Sequence, residues 1–171
     1  VATVTGNGST LKTFGPSGDA YVGMHAGGTL NVTDDGFVHS NDDFHVGGDV
    51  FSGAVGQGTL NINTGGDVLL NETFRMADTT NVSTGDMTID GKGSTLTVTL
   101  QSYIGNQGMA TVSVQNGGDY IANGDVYIGY GSWATGDAEF TVTGLCSDLT
   151  LTGGADDLFI GRNSATGTLN I

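Results

Sequence analysis

Apolar and polar positions alternate along this chain in short stretches rich in Val, Ile, Thr and aromatic residues, and the same stretches keep returning. A period of two is the mark of a strand with one face buried, and no stretch sustains the three-and-four spacing of an amphipathic helix. The pattern therefore predicts strands throughout. Its recurrence at a fixed interval says more, because repeats of one supersecondary unit stack into a solenoid.

Three units recur in a fixed order. The first is a strand that closes on glycine: Asp19-Ala20-Tyr21-Val22-Gly23, Asp43-Phe44-His45-Val46-Gly47, Asp125-Val126-Tyr127-Ile128-Gly129 and Asp157-Leu158-Phe159-Ile160-Gly161, with Phe74-Arg75-Met76-Ala77 and Ser102-Tyr103-Ile104-Gly105 as looser copies. These end at 23, 47, 77, 105, 129 and 161, so the steps are 24, 30, 28, 24 and 32. The second is an alternating strand, as in Leu30-Asn31-Val32, Leu60-Asn61-Ile62, Met87-Thr88-Ile89, Val112-Ser113-Val114, Phe140-Thr141-Val142 and Leu169-Asn170-Ile171, preceded by Ala2-Thr3-Val4. The third follows a corner of small residues, as in Gly36-Phe37-Val38, Gly66-Asp67-Val68 and Gly118-Asp119-Tyr120-Ile121.

Three strands per turn predict an all-β fold, a right-handed parallel β-helix: a three-sided solenoid of about six coils, each of roughly 28 residues. Like strands then stack about 4.8 Å apart, and inward columns can be named. One column is Val22, Val46, Met76, Ile104, Ile128 and Ile160; another is Val4, Val32, Ile62, Ile89, Val114, Val142 and Ile171. Thirty-one glycines against one proline suit tight corners of this kind. A globular β-sandwich is the competing architecture, but it gives no reason for the same strand unit to return at each turn. Residues 1–171 read as a single β-helix segment, expected to be a piece of a longer chain because neither end carries a cap or a signal peptide. Uncapped solenoid ends make self-association an expectation.

Composition narrows the partners. Four Lys+Arg stand against eighteen Asp+Glu, a net charge of −14, and the only glutamates are Glu72 and Glu139. Nucleic acids and anionic lipid surfaces are disfavoured as partners, since both are held by Lys and Arg. No apolar run is long enough to span a membrane. The lone Cys146 cannot make an internal disulfide, so burial and backbone hydrogen bonds must hold the fold.

Coils of the type aromatic-Val/Ile-Gly, then Gly-Thr-Leu-Asn-Val, then Gly-Gly-x-Val run through Tyr21 to Val38, Gly58 to Val68, Tyr103 to Ile121, Tyr127 to Leu149 and Phe159 to Ile171. This arrangement resembles the passenger domains of bacterial autotransporters, the type V secreted proteins. The resemblance implies export across the outer membrane by a C-terminal β-barrel, display at the cell surface or release, and work as an adhesin or host-directed effector. Its implied partners are a host surface protein or a glycan.

Alternation also places side chains outside. One outward column holds Tyr21, His45, Arg75, Tyr103, Tyr127 and Phe159. Rings at strand spacing can stack on sugars or a basic partner, and they also stabilise the sheet as cross-strand pairs. The other column holds Asp19, Asp43, Asp125 and Asp157, with Thr73 and Gln101 between the pairs; carboxylates on neighbouring rungs are a candidate Ca²⁺ site, or else solvated turn residues. The run from Gly153 to Leu158 partly matches a calcium-binding nonapeptide. No other cofactor is expected. His25, His39 and His45 are close in sequence, but the strand pattern does not converge them on carboxylates. His45, Arg75 and Asp43 form the best acid–base group, the basis of the alternative reading as a polysaccharide lyase or hydrolase. A structural stalk is the other alternative. Triplets for N-glycosylation begin at Asn7, Asn31, Asn71 and Asn81 as composition alone would give. Asn31, Asn61 and Asp90 interrupt any flat threonine array of the ice-binding kind.

Overall fold

The structure is a computed structural model that describes residues 1–13, 18–80, 82–131, 136–154 and 156–171. It contains three sheets. The first is built from β1 (Ala2–Thr5), β4 (Gly27–Thr33), β7 (Gln57–Asn63), β10 (Thr84–Asp90), β13 (Met109–Gln115), β16 (Asp137–Thr143) and β19 (Thr166–Asn170). The second comprises β2 (Thr10–Thr13), β5 (Phe37–Ser40), β8 (Asp67–Leu70), β11 (Thr95–Val98), β14 (Asp119–Ala122) and β17 (Asp148–Leu151). The third comprises β3 (Ala20–Val22), β6 (Phe44–Val46), β9 (Phe74–Met76), β12 (Ser102–Ile104), β15 (Val126–Tyr130) and β18 (Leu158–Arg162). Every strand pairs in parallel with the strand three places away in sequence, so each coil adds one rung to each face. Among the described residues the only antiparallel pairing is a bridge between Asp49 and Ala54 in a corner. The parallel β-solenoid is thus observed, and the sandwich is excluded.

Register follows the predicted columns. Val46 pairs with Met76, Met76 with Ile104 and Ile104 with Ile128, all fully buried, while Val32, Ile62, Ile89 and Val114 form the second stack. The second sheet adds Val38, Val68, Leu96 and Tyr120. At the terminal rungs one neighbour is missing, and there the columns lose cover: Val4 is half-buried, Ile160 is 48% exposed and Ile171 is 93% exposed. Outside, amides run along the stack, with Asn61 Nδ2 donating to Asn31 Oδ1 at 2.9 Å and Asn31 Nδ2 to Thr3 Oγ1 at 3.4 Å.

Each strand of the third sheet carries a left-handed residue just past its end or, in β15 and β18, one residue before it. Gly23, Gly47, Gly105, Gly129 and Gly161 have φ between 69° and 82°, and Ala77 takes the same position at 49°. At Gly47 the need is steric too, since a Cβ there would lie 1.9 Å from the Thr84 carbonyl oxygen of the adjoining coil.

Coil length varies mainly at one corner, the passage from the third sheet back to the first. It takes residues 23–26, 105–108 and 163–165 in three coils, but 47–56 and 77–83 in two consecutive ones. The first residues of these two corners meet beside β6, Asp78 N donating to Gly47 O at 3.1 Å and Asp49 and Asp78 both reaching His45.

Candidate interaction face

The outward column of the third sheet has the expected register: Tyr21, His45, Arg75, Tyr103, Tyr127 and Phe159 are successive partners. The rings stack as an extended pile. Tyr103 and Tyr127 are 4.8 Å apart and tilted by 4°, and Tyr127 and Phe159 are 4.7 Å apart at 5°. Arg75 closes one end, 5.0 Å from the Tyr103 ring, and Arg162 lies alongside the other, 4.6 Å from the Phe159 ring and 5.3 Å from that of Tyr127. Cation–π contact of this kind is strongest where solvent is excluded. Tyr130 lies edge-on to both Tyr103 and Tyr127 at 5.2 Å. Tyr130, Arg162 and Phe51, whose ring sits 5.5 Å from Arg75, were absent from the predicted column. The spacing Tyr127–Tyr130 and Phe159–Arg162, three residues in each coil, was the available signal for two of them.

The exposed stripe expected from alternation needs correction at two positions. His45 is only 1% exposed, and Tyr127 only 8%. Alternation assigns a side chain to the outer face of its sheet; it cannot tell whether a corner folds over that face. Here the corner 47–56 covers His45, and the stacked neighbours cover Tyr127. Tyr21 seals His45 from the other side, with ring centroids 4.7 Å apart.

Burial raises the phenols of Tyr21, Tyr103 and Tyr127. Desolvation, then the hydrogen bond from its hydroxyl to Asp125 Oδ2 at 2.9 Å, pushes the pKa of Tyr127 up to about 12. Burial also raises Tyr103, against the opposing pull of Arg75, and raises Tyr21, whose hydroxyl donates to Asp19 Oδ2. An unfolded tyrosine titrates near 10, so the folded chain binds these protons more tightly than the unfolded chain does. The resulting stability is complete below about pH 10 and is lost as pH climbs through about 12. A spectrophotometric titration should show Tyr21, Tyr103 and Tyr127 resisting ionisation until the chain unfolds; if these three titrated near 10, the stack would not be buried as described.

Carboxylates of the predicted Ca²⁺ column are engaged along the stack. Asp43 Oδ1 accepts from Thr73 N at 3.1 Å and Asp125 Oδ1 from Asp157 N at 2.9 Å, while Asp43 Oδ2 lies 3.5 Å from Arg75 Nε. Asp19, Asp43, Asp125 and Asp157 belong to no group of three metal-capable side chains among the described residues. The nonapeptide-like run includes Ala155, and one glycosylation triplet begins at Asn81; both lie outside the described residues.

A different cluster does form, and sequence reasoning missed it. His45 from β6, Asp49 from corner 47–56 and Asp78 from corner 77–83 bring their donor atoms within 4.8 Å of one another. All three are buried, at 1%, 2% and 0% exposure. His45 thus has carboxylate neighbours supplied by corners, which strand periodicity could not reveal. The available signal was that two consecutive long corners each place an Asp just past the left-handed residue, in Gly47-Gly48-Asp49 and Ala77-Asp78. Asp49 is held below the usual carboxylate range: burial alone would raise it, but hydrogen bonds from Ser52 and Phe51 and the nearby His45 outweigh that.

No family model, curated protein or solved structure matches this chain. No helix among the described residues is long and apolar enough to cross a membrane.

Proposed function

We propose that this solenoid is the binding segment of an exported bacterial surface protein of the autotransporter-passenger kind, an adhesin or effector that engages a host receptor or glycan along its third face. The observation that carries this reading is the ring-and-guanidinium ladder. Tyr103, Tyr130 and Phe159 remain half-exposed at the edge of the pile and Arg162 is exposed beside them. Tyr and Arg clustered on a rigid sheet are the composition of interface hot spots, because they bring large contact area with little rotamer entropy to lose. The excess of acid elsewhere suits a neutral glycan or a basic protein surface.

One observation favours a stalk instead: the faces of Tyr103 and Tyr127 are occupied by their neighbours, as in a ladder that only stabilises its sheet. Catalysis by His45, Arg75 and Asp43 has less support, since a 1%-exposed imidazole offers a polysaccharide no approach.

Binding to host-cell surfaces and to a glycan array, compared between the parent chain and the variants Tyr103→Ala/Tyr127→Ala and Phe159→Ala/Arg162→Ala, separates the three. An interaction face predicts at least about a tenfold loss of affinity, about 1.4 kcal/mol, in a variant whose circular dichroism is unchanged. Unaltered binding would leave the stalk, and cleavage of an acidic polysaccharide by the parent chain would establish the enzyme.

A further inference from the structure

We propose that His45, Asp49 and Asp78 form a binding site for one divalent transition-metal ion of the zinc class, which fastens the corner 47–56 to the corner 77–83. The site lies beneath the surface, beside the ladder but separate from its exposed edge.

Both ring nitrogens of His45 are buried without a hydrogen-bond partner, though a buried polar group without one is costly. Nδ1 lies 3.3 Å from Asp78 Oδ2 but without the alignment of a hydrogen bond. An imidazole in that position has both nitrogens available to ligate a metal ion. The carboxylates are oriented as metal ligands usually are, by second partners that fix their direction. Asp78 Oδ1 accepts from Asn106 Nδ2, and Asp49 accepts from Phe51 N and Ser52 N, each at 3.1 Å.

Charge points the same way. Arg75 approaches Asp43 at 3.5 Å and Asp78 at 4.0 Å, so one cation is shared between two carboxylates, and none is within ion-pair distance of Asp49 among the described residues. With a neutral imidazole the group carries two uncompensated negative charges, largely out of water. Such charge is expensive unless paired, and a divalent ion cancels it.

The donor set selects the class of metal. Ca²⁺ and Mg²⁺ prefer oxygen alone, whereas one imidazole with two carboxylates suits Zn²⁺ and its neighbours. Three protein donors with a water in the fourth place would complete a tetrahedron; donor atoms within 4.8 Å of one another need to close by roughly an ångström to reach Zn–N and Zn–O lengths near 2.0–2.2 Å. Corners can make that movement more readily than strands.

The whole chain, stripped with chelator and desalted, is titrated with Zn²⁺ by calorimetry, and with Co²⁺ to observe the ligand-field spectrum of a nitrogen–oxygen site. About one ion per chain is expected, with Tm raised by about 5 °C or more at saturation and Ca²⁺ without comparable effect. Affinity should fall at least about a hundredfold in His45→Gln and in Asp49→Asn, and stay unchanged in His39→Gln. Absence of stoichiometric Zn²⁺ or Co²⁺ binding by the parent chain overturns the site, whether or not a variant folds. So does equal binding by a folded His45→Gln chain, which would place the ion elsewhere.

Discussion

Replacing Phe74 with alanine should destabilise the chain by about 3–5 kcal/mol, as truncation of a buried aromatic does through lost transfer energy and an unfilled cavity. Phe74 is fully buried, with the ring of Phe44 from the preceding coil 6.2 Å away. Whole domains are commonly stable by only about 5–15 kcal/mol, so the change is a large fraction of the total. Where the loss falls is diagnostic. In a solenoid each coil touches only its neighbours, and stability is close to a sum of local terms. Urea denaturation would give the magnitude; amide exchange should show lost protection in β6, β9 and β12 while β16 keeps most of its own. A uniform loss over all coils would mean that the coils do not behave as a stack of nearest neighbours.

Gly47→Ala should cost about 3 kcal/mol or more. Two penalties combine: an L-residue at φ +82°, worth about 1–2 kcal/mol, and a methyl carbon placed 1.9 Å from a backbone oxygen that the adjoining coil cannot withdraw without giving up ladder hydrogen bonds. Gly27→Ala is the internal contrast. That glycine lies in the same solenoid with open space around its missing side chain, and its substitution should stay within about 0.5 kcal/mol of the parent. Thermal melts of both variants measure the difference. Equal effects would show that backbone contact between coils does not determine which glycines are required.

The fold was legible because inside and outside are encoded twice, by alternation within a strand and by return after one coil. Val46, Met76, Ile104 and Ile128 satisfy both rules, and they stack as expected. The ladder was legible as a register and less so as a surface. Alternation placed His45 outward correctly with respect to its sheet, yet the decisive fact is a lid of corner residues. Corners carry no period: Asp49 and Asp78 could be seen as acids near left-handed residues, but their meeting over His45 depends on how 47–56 folds back through the Asp49–Ala54 bridge. Phe51 reaches Arg75 by the same route.

Confinement of most of the length variation to one passage between sheets has a consequence for how such a chain can be edited. Residues gained or lost there leave the pairing of β6 with β9 and of β7 with β10 untouched, because both ladders are set on the far sides of the detour. The passage from the third sheet to the first therefore acts as a seam: sequence can be spliced in or trimmed away along it while the column underneath keeps its pitch. Novelty can accumulate along one line of the molecule without a new fold having to be invented to carry it.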